Sequence, residues 1–98
     1  MGKILTIEEI RKGVEEFAPK HGISKVFLFG SYATGDQTPE SDVDLLVEFE
    51  NPQDASLFTI IGFKHDLYDT IKKRVEIVEA PVPTNSFLKI TKEVPLYG

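Results

Sequence analysis

Asp42 and Asp44 stand two residues apart in the run DVDLLVEF, whose other members are mostly apolar. In a strand such residues leave the same face, and a rise of ~3.3 Å per residue sets their Cα atoms roughly 6.6 Å apart. Carboxylates held that close repel one another unless a cation, a proton or solvent offsets the charge. Glu76 repeats the theme between Val75 and Ile77. If the strands pair, three carboxylates share one face. Hard oxygen donors of this kind suit Mg²⁺, which takes near-octahedral oxygen ligation and usually keeps water and substrate phosphates in its shell. Two such ions about 3.5–4 Å apart could clamp the attacking and leaving oxygens of a phosphoryl or nucleotidyl transfer. Upstream, Gly30 lets the backbone turn sharply, so that the amides from Ser31 onward face an incoming phosphate, with the Ser31 hydroxyl as a further donor. Phosphate and metal would then meet over one sheet edge.

The elements that must position these groups alternate along the chain. Thr6 with Glu9 forms a capping box, after which Ile7, Ile10, Val14 and Phe17 recur at helical spacing and Gly22 marks the stop. Residues 25–29, KVFLF, read as a buried strand ended by Gly30, and residues 42–49 as a second, closed by Asn51 and Pro52. From Asp54 or Ser56 the apolar positions Leu57, Ile60, Ile61, Leu67 and Ile71 predict a long helix. Residues 74–80 give a third strand, stopped by Pro81 and Pro83, and the tail could hold a short helix from about residue 86 until Pro95 ends it. Together these predict one small mixed α/β domain over residues 1–98, a short twisted sheet covered on one face by helices.

With 98 residues there is no room for a second substrate-binding domain. Lys and Arg number 11 against 16 Asp and Glu, a formal charge of -5 that repels phosphate backbones and disfavours direct nucleic-acid binding. No cysteine is present, which fits a reducing compartment. The N-terminal MGKILTIEEIRKG is broken by charge every few residues and lacks a signal-peptide core or a run of ~18 apolar residues, so a cytoplasmic protein without membrane attachment is expected.

Gly30-Ser31, ten residues, then Asp42-Val43-Asp44 matches the G-S-x10-D-x-D signature of the DNA polymerase beta-like nucleotidyltransferases, and the chain most resembles their shortest branch, the minimal nucleotidyltransferase or MNT domain. The resemblance covers nearly the whole chain. It implies that Gly30 and Ser31 hold the β- and γ-phosphates of ATP, that Asp42 and Asp44 ligate Mg²⁺, and that Glu76 is the third carboxylate, drawing off the acceptor hydroxyl's proton. It further implies the antitoxin of a type VII toxin-antitoxin module, partnered by a HEPN-domain RNase toxin and transferring AMP to a tyrosine of it.

The chain departs from the family in two places. Glu76 stands where Asp is common, and Tyr32 and Thr34 occupy the loop where many members carry Arg. Triphosphate neutralisation then leans on Mg²⁺ or on Lys72, Lys73 or Arg74, which otherwise read as a solvated helix terminus favoured by the dipole. Asp36 and Glu40 read as polar loop, and His21 and His65 as a helix end and a helix surface. Phe58, Ile60, Ile61 and Phe63 crowd one helix, where Phe58 or Phe63 could dock a partner. An EF-hand is set aside because Leu45 and Leu46 follow the D-x-D. A small-molecule nucleotidyltransferase would need a second domain for its acceptor. The alternative within the family is a catalytically weak or inactive antitoxin that occludes the toxin by binding.

Overall fold

The computed structural model describes residues 4–51, 53, 55–79 and 93–98. Helix α1, Ile7–Phe17, begins where the sequence places it. Thr6 is extended, its Oγ1 accepts from the Glu9 N–H at 3.1 Å, and the Glu9 carboxylate accepts from the Thr6 N–H at 3.1 Å. The pair satisfies two amides that a helix start leaves without partners. Thr6→Ala is expected to cost about 1 kcal/mol, a fall of roughly 4–8 °C in melting temperature for a domain this size, which calorimetry would check. A single 3₁₀ turn, Ala18–His21, follows and ends on Gly22. Strand β1, Ile23–Phe29, starts two residues earlier than predicted.

After β1 the Gly-Ser segment is the head of a four-residue helix, α2, Ser31–Thr34. Strand β2 is Val43–Phe49, and α3 runs Leu57–Ile71 from a Ser56 cap whose Oγ accepts from the Thr59 N–H at 3.2 Å. Lys72, at φ 57°, closes α3 with its N–H donating to the Tyr68 carbonyl at 2.8 Å. Strand β3 is Val75–Glu79. The last described element is a strand, β4, Val94–Tyr97, at the end of the tail and largely beyond the short helix expected to run up to Pro95. The stretch from residue 86 in which that helix would begin lies outside the described residues. Proline is tolerated in β4 because, among the described strands, β4 lies at the edge.

The sheet order is β3-β2-β1-β4. β1 is antiparallel to β2 and to β4, whereas β2 and β3 run parallel, joined through α3. The sheet is therefore mixed, as expected. Alternation sends Val26 and Leu28 of β1, Val43, Leu45 and Val47 of β2 and Val75 of β3 to one face, where they form a core with Ile10 and Val14 of α1 and Phe63, Leu67 and Ile71 of α3. Both long helices thus cover the same face. His21 ties the 3₁₀ turn to α3, its Nε2 lying 2.8 Å from Asp66 Oδ2. His65 is a surface residue of α3, 3.6 Å from Asp69. Phe63 is fully buried core, while Phe58 on the same helix is 88% exposed, so only Phe58 is available to a partner. Among the described residues no helix is long and apolar enough to cross a membrane.

Candidate active site

The strand alternation that sends Val43 and Leu45 to the core sends Asp44 to the opposite face, and β-pairing surrounds it with the other predicted groups. Phe29, the residue before Gly30, is Asp44's partner on β1, and Glu76 is its partner on β3. Asp42 immediately precedes β2 and is half-buried, as is Asp44, while Glu76 is exposed. One position of one strand therefore sits between the Gly-Ser segment and the third acid.

The contact with Gly30 is the tightest feature of the site. Gly30 has φ 76° and ψ −155°, a region essentially reserved for glycine. A Cβ added there would lie 2.2 Å from Asp44 Oδ2 and 3.1 Å from its Cγ. The carboxylate thus occupies the space that any side chain at position 30 would need. Beyond Gly30 the chain turns into α2, where the N–H groups of Ala33 and Thr34 both donate to the Gly30 carbonyl, at 3.0 and 3.1 Å. The amides of Ser31 and Tyr32 belong to the first turn, whose donors a helix cannot satisfy internally. Tyr32 is buried, and its hydroxyl accepts from the Leu5 N–H at 3.4 Å, which anchors the segment to the chain before α1. The Thr34 hydroxyl, at a position where the resemblance led us to look for Arg, donates to Asp36 at 3.0 Å.

Electrostatics follow from the geometry. Burial pushes the Asp44 carboxyl above the usual carboxylate range, and the neighbouring Asp42 and then Glu76 push it further in the same direction. A cation would relieve all three effects. Yet among the described residues no three His, Cys, Asp or Glu side chains converge closely enough to hold a metal ion together. An ion held by Asp42 and Asp44 alone would have to complete its shell with water and phosphate, as Mg²⁺ commonly does.

The acids lie apart from the cleft of about 460 Å³ that Ile61, Lys64, His65, Tyr68, Arg74 and Val75 line between α3 and the start of β3. The candidate residues are therefore on the face of the sheet that α1 and α3 leave uncovered. One residue, named with Lys72 and Arg74 as a candidate for the triphosphate, stands differently from its neighbours. Lys73, read otherwise as part of a solvated terminus, is only 7% exposed, and its Nζ donates to the Pro39 carbonyl. A lysine flanked by Lys72 and Arg74 gave no signal that it alone turns inward.

Residues 7–94 match the family model described as "Nucleotidyltransferase domain". A protein of Thermococcus cleftensis named protein adenylyltransferase MntA is 34% identical over 76% of this chain and 78% of its own length. Among solved structures, a chain of a toxin-antitoxin crystal structure with AMP-PNP is 18% identical and superposes with a TM-score of 0.74 over 90% of this chain and 73% of that one. A chain from the complex of tri-AMPylated Shewanella oneidensis HEPN toxin with MNT antitoxin is 14% identical, with a TM-score of 0.68 over 95% of this chain and 73% of the other. At these identities the two structures speak to the fold alone.

Proposed function

We propose, since this chain belongs to the nucleotidyltransferase domain family, that it is a protein adenylyltransferase that moves AMP from ATP to a tyrosine hydroxyl of a HEPN-domain toxin and thereby acts as that toxin's antitoxin. The observation that carries the reading is the contact of Gly30 with Asp44, which joins the phosphate-facing turn to the carboxylate pair at one point of the sheet. Ser31 and the first-turn amides of α2 orient the terminal phosphates. Asp42 and Asp44 would hold Mg²⁺, with Glu76 beside them. Bound there, such an ion would supply Lewis-acid chemistry to the transferring phosphate.

Glu76, exposed and next to Asp44 in register, takes the tyrosine proton as the acceptor oxygen forms its bond to the α-phosphorus and the bond to pyrophosphate breaks. A binding-only antitoxin is the second reading, favoured by the absence of a tight three-acid cluster among the described residues.

Purified protein incubated with a lysate of the source cell, Mg²⁺ and labelled ATP separates the two. The α-label is expected to enter one protein band, the γ-label none, and EDTA to remove the signal. A γ-label in the band would indicate a kinase, and no label with the partner still captured would leave occlusion.

A further inference from the structure

We propose that Lys73 is a positioning residue for Asp42, an assignment that rests on the transferase reading and adds to it a residue outside the signature. Lys73 is the one buried charged residue among those described. A lysine ammonium is seldom enclosed without a specific partner. Here the partner is the carbonyl of Pro39, 34 residues away in sequence.

The segment it grips is already stiff. The Ser41 N–H donates to the Thr38 carbonyl at 3.0 Å, the Thr38 N–H to Ser41 Oγ at 2.9 Å and the Glu40 N–H to Thr38 Oγ1 at 3.3 Å. These bonds tie Thr38 to Glu40 and Ser41 on either side of Pro39, so a restraint on Pro39 also restrains Ser41. On the other side of Asp42, the Val43 N–H donates to the Arg74 carbonyl at 2.9 Å. Asp42 is thus bracketed by two anchors, and both come from consecutive residues, the Lys73 side chain and the Arg74 backbone. Two residues further on stands Glu76. The junction between α3 and β3 consequently fixes Asp42 against Asp44 and sets Glu76 in register with the same chain segment. The left-handed backbone of Lys72, at φ 57°, makes the turn from which Lys73 reaches inward. Lys73 acts here through position, since its bond goes to a backbone carbonyl and to none of the acids.

The test uses Mn²⁺ as the probe ion, with the free ion followed by electron paramagnetic resonance, alongside transfer kinetics and amide exchange on wild type, Lys73→Met and Lys73→Arg. Supporting groups behind metal ligands typically carry 10–100-fold in affinity or activity. Lys73→Met is expected to weaken Mn²⁺ binding about tenfold, to lower kcat by a similar factor with the KM for ATP within about threefold, and to speed exchange at the Ser41 and Asp42 amides. Lys73→Arg, which keeps a donor, is expected to recover most of both. A raised KM with unchanged kcat would mean that Lys73 touches the triphosphate, and unchanged Mn²⁺ affinity with a lower melting temperature would reduce it to a fold tie. Either result overturns the proposal. If Lys73→Met does not fold, Lys73→Gln, neutral and one bond shorter, replaces it, with losses in the same direction but smaller expected. Wild-type protein that binds Mn²⁺ yet transfers nothing refutes the transferase reading while leaving the Lys73 comparison readable through the ion.

Discussion

Replacing Asp44 with Asn is expected to abolish transfer and, in the same protein, to raise the melting temperature at neutral pH. On the proposed transferase reading, the loss follows from the position of Asp44 between the Gly-Ser turn and Glu76, from which it would present metal to the phosphates. A metal ligand at the reacting phosphate is worth several kcal/mol of transition-state stabilisation, so a fall on the order of 10³-fold, about 4 kcal/mol, is expected. The gain follows from the raised carboxyl pKa, which burial causes first and Asp42 and Glu76 then extend. A folded-state value above the unfolded one means that the fold prefers the protonated acid. Its contribution is harmless below the ordinary value of 3.8 and becomes destabilising as pH rises through the shifted value. Asn cannot ionise, so the difference in melting temperature between D44N and wild type should vanish in acid and open toward neutrality. Mg²⁺ should then stabilise the wild type and leave the variant unmoved. A toxin still neutralised by D44N protein would remove the enzymatic explanation and leave binding.

The second large effect is expected from Gly30→Ala. An alanine at φ 76° and ψ −155° adopts a backbone conformation costing about 1–3 kcal/mol, and its methyl would stand 2.2 Å from Asp44 Oδ2. The protein must move the strand, the turn or the carboxylate. A lowering of the melting temperature by roughly 10 °C is expected from the backbone term alone at the middle of that range. In whatever protein folds, Asp44 is displaced, so activity should fall at least as far as stability predicts and should not return on adding Mg²⁺ in excess. The double variant Gly30→Ala with Asp44→Gly, in which the obstructing side chain is gone, should recover part of the stability and none of the activity. That contrast separates the steric contact from the backbone strain.

Much of this was legible in the sequence because the relevant signals are local. The capping box of Thr6 and Glu9, the β-branched run around Val26 and the alternation from Asp42 to Val47 each declare an element within a few residues. The acid-bearing face follows from the two-residue period alone. What escaped notice depends on distant pairing. Val94–Tyr97 is a strand because β1 lies beside it, while Pro95 within its four residues interrupts the strand signal of Val94 and Tyr97. Lys73 is buried because Pro39 is there to receive it, a relation across 34 residues that no window contains. The short helix after Gly30 was missed for a related reason, since Tyr32 is held by the Leu5 amide rather than by a helical pattern.

Pro95 also decides what the molecule does in a crowded solution. An exposed strand edge offers amides and carbonyls to any passing strand and is the usual starting point of aggregation. At Pro95 there is no amide to offer, and its carbonyl already accepts from the Arg11 guanidinium at 3.3 Å. That residue therefore offers a newcomer no donor and an acceptor already engaged, within a strand only four residues long. The β4 side of the sheet is thus poorly suited to recruiting a fifth strand from another copy, which lets a small acidic protein accumulate without seeding fibres from that edge.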